Sequence, residues 1–320
     1  MSLGFGFGLQ YSRLSGGGSG YNAFTIEVKT DNTGVSNSDQ FEFTGALGDY
    51  DVVAKQNDIA VATFNDLSGA ETITLPSSGV YVLEITPKAS NGFDRIRFGG
   101  GGDKDKMLDI KQWGDVVWSS FERAFFGCSN LTGNYTDSPN LVNVTSLRRM
   151  FRGCSVFNGQ IANWDFVNIT DLDSFLMRCS DFNQPFENIN TSNVTNMKAM
   201  LYQANSFNQN LNNLDVSNVE NFQFTFFQNT SFSKPINNWD VSSATTMDRM
   251  FFGSSFNQPL NNWDVSNVTN MLSMFRTALR FNQDLSGWCV SQIGSRPGTF
   301  DDGASSWVLP NSRPIWGTCP

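Results

Sequence analysis

The sequence predicts an N-terminal all-β sandwich followed by an α/β solenoid of strand-turn-helix repeats with a C-terminal cap. Three observations predict this fold class. A 25-residue phrase recurs through the second half of the chain, short alternating stretches occupy residues 21–106, and the period stops after Trp288. A fixed period of roughly 20–50 residues is typical of solenoids, in which each repeat buries its apolar face against its neighbours. The last segment, 289–320, is therefore predicted to cap the exposed end of the solenoid.

The clearest copy of the repeat is FNQPLNNWDVSNVTNMLSMFRTALR, which begins at Phe256. Its part PLNNWDV is short and extended, and its part VTNMLSMF carries apolar residues at helical spacing. Each repeat is therefore predicted to be a strand, a turn and a short helix. The copies begin at these phenylalanines: Phe157, Phe182, Phe207, Phe232, Phe256 and Phe281. Degenerate copies extend the predicted solenoid to residues 107–288.

Residues 21–106 are predicted to form an Ig-like β-sandwich. Seven short alternating stretches, from FTIEVKT at 24–30 to DRIRF at 94–98, are separated by turn-rich segments. Several short strands at close spacing are typical of a sandwich. The run GGGGDKDK at 99–106 marks the predicted domain boundary.

Residues 1–20 are rich in glycine and serine and are predicted to be a flexible attachment arm. Two hypotheses stand side by side: a disordered tail, or a peptide that becomes ordered inside a partner. The apolar residues that favour the second are Phe5, Phe7, Leu9 and Tyr11. The arm lacks the charged start and apolar stretch of a secretory signal. Either a signal was removed, or the protein leaves the cell by another route, such as assembly into a particle.

Composition argues against several classes of function. Histidine is absent, which excludes Ser-His-Asp and Cys-His catalysis and histidine metal sites. The net charge is −9 without a basic stripe, which argues against binding nucleic acid or anionic membrane. No apolar run approaches the ~20 residues of a membrane helix. We therefore expect that the protein is not an enzyme, binds no cofactor and does not insert into a membrane. A glycan depolymerase with paired carboxylates, such as Asp240 and Asp264, is the less favoured alternative.

The five cysteines fall into two sets. Cys128, Cys154 and Cys179 occupy one repeat position and are interpreted as buried thiols, although a disulfide between neighbouring repeats is open. Cys289 and Cys319 are predicted to form a disulfide that closes the C-terminal cap, which implies an oxidising location.

Three columns of repeated residues are interpreted as structural ladders. Asparagines after the opening phenylalanine are expected to bond to the turn backbone of their own and neighbouring repeats. Tryptophans are expected in the core, and aspartates in turns or caps rather than as calcium ligands. The columns contain Asn183, Asn208, Asn257, Asn282, Trp164, Trp239, Trp263, Trp288, Asp215, Asp240 and Asp264. Calcium also remains open at Asp103 and Asp105, or at Asp301 and Asp302, as an alternative to solvated loop carboxylates.

Residues on the predicted helix side differ widely between copies. Varied positions are either plain solvent-exposed surface or a tuned binding face, and drift is the commoner cause. The candidate binding face consists of Arg148, Arg149, Lys198, Phe224 and Arg249.

The recurring elements FNQ, W-D-V-S and V-T-N-M, in register over about 107–288, resemble the leucine-rich-repeat-like units of the BspA family of bacterial surface proteins. Related copies occur in mycoplasma surface lipoproteins and in phages. The resemblance implies a leucine-rich-repeat-type solenoid and a non-enzymatic surface role, often adhesion or protein binding. The start MSLGFGFGLQYSRLSGGG is similar to the anchoring peptides of phage tail fibres.

These resemblances and the arm favour a virion-associated appendage protein, located on an extracellular particle. The arm would dock on other virion proteins, and the repeats would present a surface to a host receptor, protein or glycan, or to other subunits of a homo-oligomer. The alternative hypothesis is a bacterial cell-surface adhesin of the BspA type.

Overall fold

The computed structural model describes residues 22–45, 48–88, 92–186 and 189–320. The predicted attachment arm, with Phe5, Phe7, Leu9 and Tyr11, lies outside the described residues.

Eight β-strands and one short helix form the regular secondary structure of the described residues. The strands are β1 Phe24–Lys29, β2 Gln40–Phe43, β3 Asp49–Gln56, β4 Ile59–Ser68, β5 Glu71–Thr74, β6 Val80–Pro87, β7 Met107–Gln112 and β8 Thr132–Gly133. A 3-10 helix spans Lys104–Lys106. The alternating stretches at 24–87 therefore do contain strands, and every second side chain is buried in β2, in β6 and along most of β3, whereas β4 has no buried side chain. DRIRF does not, since Phe98 donates its N–H to Ala124 instead of joining a sheet.

The strands form a mixed six-stranded sheet in the order β4-β3-β6-β1-β7-β8 and a two-stranded sheet of β2 and β5. All pairs are antiparallel except β7 and β8, which run parallel with Asp109 opposite Thr132. Ile26 in the central strand β1 lies between Leu83 and Ile110, and all three side chains are fully buried. The large sheet thus continues past residue 106 into the start of the repeats, and the predicted Ig-like sandwich is wrong because one sheet is mixed and the other has only two strands.

From residue 121 to 304 the repeats lie side by side, and we call this part the repeat stack. Consecutive repeats are joined by single-residue parallel bridges, which link Ser146, Asp171, Asn196, Asn221, Thr246 and Asn270 in turn. Between the bridges the chain makes tight turns. The opening phenylalanines stack on one another, as Phe157 does on Phe182 with ring centroids 6.1 Å apart.

Backbone hydrogen bonds in the repeat stack alternate between two kinds of partner. Arg149 donates its N–H to Asp173 in the next repeat, whereas Met150 donates to Leu147 within its own turn. The same alternation recurs along the stack, so that every second N–H of the turns points toward the C-terminal end. Each repeat is therefore held by its successor, and its own carbonyl groups accept from its predecessor.

The predicted α/β solenoid of strand-turn-helix, leucine-rich-repeat-type units is wrong. The described residues contain no α-helix, and the segments predicted to be helical are successions of turns. Leu147, Met150, Phe151 and Cys154 are fully buried at the spacing i, i+3, i+4 and i+7, which is also the spacing of a helix face. Left-handed backbone at Arg149, with φ 57°, breaks the helical path, so the same apolar pattern arises from turns.

The two ends of the repeat stack are covered by chain segments of different kinds. At the N-terminal end, Phe98 and Gly100 donate their N–H groups to the carbonyls of Ala124 and Phe126. At the C-terminal end, Trp307 packs against Phe275 and Phe281, and a disulfide joins Cys289 to Cys319. The structure thus contains the disulfide predicted from the sequence.

Candidate functional site

Two positions in every turn of the repeat stack, four residues apart, have left-handed backbone, and the first of the two lies on the face considered as a site. The φ angles at this first position lie between 52° and 60°. The residues at this position are Arg123, Arg149, Ser174, Ala199, Phe224, Arg249, Ser273 and Thr299. None of them is glycine, although left-handed backbone disfavours side chains, so the column carries varied side chains at a cost in backbone energy. Residues of this column and of the position three residues later form one continuous face of the stack.

A shallow cavity of about 280 Å³ opens on this face, and we call it the basic groove. It crosses four successive repeats because residues from the same three columns line it. Its lining consists of Arg149, Arg152, Asp173, Ser174, Met177, Lys198, Ala199, Tyr202 and Phe224. The groove therefore combines cationic, apolar and aromatic side chains in a protein whose net charge is −9.

Four arginines, Arg123, Arg149, Arg152 and Arg178, form an unneutralised group at the N-terminal part of this face, and we call it the arginine cluster. Among the described residues, none of the four has a carboxylate oxygen within 4.0 Å. The Nε atoms of Arg123 and Arg149 are buried and have no hydrogen-bond partner in the described part of the chain. Burial lowers the pKa of the Arg152 guanidinium, and the charges of Arg149 and Arg178 lower it further. The cluster is thus an accumulation of like charge that makes no ion pair among the described residues, and the charge of Asp173 offsets it only in part.

The one carboxylate that lines the groove is already paired. Asp173 accepts a hydrogen bond of 3.1 Å from Nε of Arg148, and its neighbour Ser174 donates to it as well. Arg148 also pairs with Glu122 at 3.2 Å. Asp173 therefore pairs directly with Arg148, and its charge offsets that of Arg152 only from a distance, without an ion pair to the arginine cluster.

A row of half-buried aromatic rings continues from the basic groove toward the C-terminal end, and we call it the aromatic strip. Tyr202 and Phe227 stack with ring centroids 4.4 Å apart, and Phe227 and Phe252 stack at 4.7 Å. The guanidinium of Arg178 lies over Tyr202, and that of Arg276 lies over Phe252. Both faces of every ring in the strip are therefore occupied by protein, and ring edges are what the strip presents to solvent.

The structure brings the candidate binding face of the sequence analysis together. Arg149, Lys198 and Phe224 line the basic groove, and Arg148 lies beside it. Arg249 stacks on Phe224 with its guanidinium carbon 5.4 Å from the ring centroid.

Sequence reasoning missed Arg152, Tyr202 and the rest of the aromatic strip. A usable signal was present, because the same repeat position carries large side chains in successive copies. These are Phe126, Arg152, Met177, Tyr202, Phe227, Phe252 and Arg276. The predicted helix VTNMLSMF ends one residue before this position, so the position was not included in the candidate binding face.

The asparagine ladder lies on another part of the repeat and bonds from copy to copy. The side-chain oxygen of Asn183 accepts the backbone N–H of Asn208 at 3.0 Å, and that of Asn257 accepts from Asn282 at 2.9 Å. Asn282 in turn accepts from Val308 at the C-terminal cap. The bonds hold the irregular backbone that follows each opening phenylalanine.

The aspartate and tryptophan columns have separate positions. Asp215, Asp240 and Asp264 each accept the backbone N–H of the residue two positions later, as in an Asx turn. The tryptophan indoles are core residues. The rings of Trp239 and Trp263 are nearly parallel, with their centroids 6.2 Å apart. Trp164, Trp239, Trp263 and Trp288 are each at most 3% exposed.

The remaining carboxylates and thiols of the sequence analysis have protein partners or are buried. Asp103 pairs with Lys106, and Asp301 and Asp302 bind Arg296. In the described part of the chain, no group of three or more acidic, cysteine or histidine residues could hold a metal ion. The free thiols Cys128, Cys154 and Cys179 are buried, and burial raises the pKa of each.

No helix within the described ranges has the length and apolar character needed to cross a lipid bilayer.

Comparison with known protein families gives one match. Residues 119–228 and 210–307 match the model of a family described as "Mycoplasma protein of unknown function, DUF285", and the two segments together cover more than half of the chain. The chain belongs to the DUF285 family. This membership supports the BspA-like repeat resemblance and is compatible with a surface role. No curated protein and no solved structure matches the chain.

Proposed function

We propose that this DUF285 chain is a non-enzymatic binding protein of an extracellular surface, and that the basic groove and the aromatic strip are its binding face. The observation that carries the proposal is the arginine cluster. Gathering like charges costs free energy unless counter-ions offset it, and none of the four arginines makes an ion pair among the described residues. A ligand with negative charge would supply the counter-ions.

Two further features support a binding role on the outside of a cell or particle. Family membership is compatible with a surface protein. The disulfide between Cys289 and Cys319 suits an oxidising compartment, because cytosolic thiols are kept reduced.

The chemistry of the groove favours binding over catalysis. Glycoside cleavage requires two carboxyl groups about 5–10 Å apart with different protonation states. The groove lining contains one carboxylate, Asp173, and this group is held in an ion pair with Arg148. Histidine is absent from the whole chain, so the commonest general base is missing.

A cell-binding experiment tests this proposal. The full-length chain, fluorescently labelled, is added to intact cells from the source of the protein, and bound label is measured by flow cytometry. The groove variant carries Arg149→Gln and Arg152→Gln. The control variant carries Lys234→Gln and Arg280→Gln, which remove the same charge from exposed, unpaired positions outside the groove.

We expect saturable binding that the groove variant reduces at least tenfold and the control variant leaves unchanged, since the loss of even one of the two charge-assisted contacts is worth about tenfold. Equal binding of the wild type and the groove variant would refute the assignment of the face.

The two finer hypotheses concern the carrier of this binding face. A virion appendage requires the attachment arm, residues 1–20, to dock on other virion proteins, and a cell-surface adhesin requires an anchor in an envelope. Both stay predictions. Quantitative mass spectrometry of purified virions and of envelope fractions from the source separates them, because the chain would appear at fixed stoichiometry in one fraction only.

A further inference from the structure

The arginine cluster and the aromatic strip together restrict the chemistry of a ligand, and this inference rests on the proposed function. Guanidinium groups present a planar fork of N–H donors that matches carboxylate, phosphate or sulfate oxygens. Arg149 and Arg152 line the groove with partly exposed side chains, and neither has a carboxylate within ion-pair distance among the described residues. Charge complementarity therefore favours an anionic ligand at the N-terminal part of the face.

The aromatic strip argues against a carbohydrate ligand. Sugars and nucleic-acid bases bind aromatic side chains by stacking on a free ring face. Phe227 is covered on one face by Tyr202 and on the other by Phe252. Arg178 and Arg276 cover the two outer faces of the row. No ring of the strip offers a face, and its exposed edges suit aliphatic or aromatic side chains of a polypeptide.

The distribution of charge argues against a long polyanion. The chain as a whole is acidic, with 30 aspartates and glutamates against 21 lysines and arginines. The arginine cluster is confined to consecutive repeats at one end of the face, and toward the other end Arg249 is neutralised by Asp248 at 3.0 Å. A uniformly charged polymer would meet positive charge over only part of its length.

We propose that the face binds an acidic, apolar segment of a partner protein in extended conformation. Carboxylates of the segment pair with Arg149 and Arg152, and its apolar side chains pack on the ring edges of the aromatic strip. The ring spacings of 4.4 and 4.7 Å along the strip correspond to about three residues of extended chain at ~3.3 Å per residue. A short linear segment is therefore enough to contact both parts of the face.

Fluorescence anisotropy with defined probes tests the partner class. The probes are three labelled 12-residue peptides: one alternates glutamate with leucine and phenylalanine, one replaces glutamate by glutamine, and one replaces the apolar residues by serine. A sulfated polysaccharide of the heparin type is the fourth probe. The protein is the full-length chain as wild type, groove variant, control variant and Phe227→Ser.

We expect the acidic, apolar peptide to bind at least tenfold more tightly than the other three probes. The groove variant and Phe227→Ser should each weaken this binding about tenfold, and the control variant should leave it unchanged. The peptide should also displace the labelled chain from cells. Thermal unfolding of each variant shows whether it is folded, and the two glutamine variants alter only partly exposed or exposed side chains.

Other results overturn the inference in distinguishable ways. Tighter, groove-dependent binding of the sulfated polysaccharide refutes the protein partner while the proposed function stands. Absence of peptide binding, together with groove-dependent cell binding, refutes the acidic peptide alone. Peptide binding that is equal in the groove variant and the wild type refutes the site.

Discussion

Tyr202 and Phe227 lie one repeat apart and stack with their ring planes only 5° from parallel. The pair places a half-buried aromatic surface next to the basic groove, because Tyr202 belongs to both the groove lining and the strip. The short bridge-to-bridge spacing of the repeats puts equivalent side chains close enough to stack face to face. Because the stacked rings cover one another's faces, only ring edges are exposed to a ligand on this surface.

Thr277→Gly is expected to raise the free energy of unfolding by about 0.5–1 kcal/mol. Thr277 has left-handed backbone with φ 55°, which is unfavourable for a β-branched residue. Glycine occupies the equivalent position with positive φ in four other copies: Gly127, Gly153, Gly253 and Gly303. Thermal and urea unfolding measure the change. The control is Thr230→Gly, at an exposed position without positive φ, and it should lower the free energy of unfolding by a similar amount. A loss of stability in both variants would contradict the prediction.

Stability should fall in acid through the aspartates of the Asx turns. The hydroxyl and backbone N–H of Ser266 lower the pKa of the Asp264 carboxyl below its usual value, and the N–H and hydroxyl of Ser286 do so for Asp284. A carboxyl with a lowered folded pKa contributes stability above its ordinary pKa, near 4, and that contribution is lost as the pH falls through the folded pKa. The melting temperature of the wild type should therefore drop between about pH 4.5 and 2.5.

Replacing both aspartates by asparagine isolates this effect. Asparagine keeps the acceptor for the turn N–H, as Asn190 does for Ser192 in another repeat, but it does not titrate. Asp264→Asn with Asp284→Asn should flatten the acid dependence of the melting temperature. Asp94→Asn with Asp181→Asn removes the same charge from exposed side chains and is the control. The explanation fails if the two double variants have the same acid profile.

Lys106→Met should destabilise the protein by about 3–5 kcal/mol, because it leaves a buried carboxylate without its partner. Lys106 is fully buried, pairs with Asp103 at 3.5 Å, and donates to the carbonyl oxygens of Asn37 and Gln40. The pair thus ties the loop before β2 to the segment before β7. Lys104→Met, which removes a surface ion pair with Asp105, should cost less than about 1 kcal/mol. Similar melting temperatures for the two variants would show that the buried pair contributes little.

Removing the C-terminal disulfide should lower the free energy of unfolding by about 2–4 kcal/mol. The bridge joins residues 30 positions apart, and Val290 next to Cys289 donates to Thr318 next to Cys319. The variant carries Cys289→Ser and Cys319→Ser. A reducing agent should bring the wild type to the melting temperature of the variant and leave the variant unchanged. If reduction does not lower the melting temperature of the wild type, the disulfide does not stabilise the C-terminal cap.

The sequence pattern identified the period but not the local conformation of the repeats. Buried residues at helical spacing, such as Leu147, Met150 and Phe151, are shared by a helix and by a run of tight turns. The two conformations differ in their backbone hydrogen bonds: in the turns, the N–H of Arg149 donates to the carbonyl of Asp173 in the next repeat. That choice depends on a residue 24 positions away and has no local signature. The left-handed column that contains Arg149 carries arginine, alanine and phenylalanine instead of glycine, so only the column four residues later, with Gly153 and Gly253, indicated positive φ in the sequence.

By itself the sequence determined which residues of the repeat are equivalent, that the tryptophans and opening phenylalanines are apolar columns, and which two cysteines close the cap. These follow from period, composition and chain position, which need no coordinates. The tertiary structure decided that the repeats are turns joined by single bridges, that one sheet runs from the N-terminal strands into the repeats, and that Arg149, Arg152 and Tyr202 line one groove. The physical reason is that hydrogen bonds between repeats, and not within them, select the backbone conformation, and that conformation sets which side chains share a face.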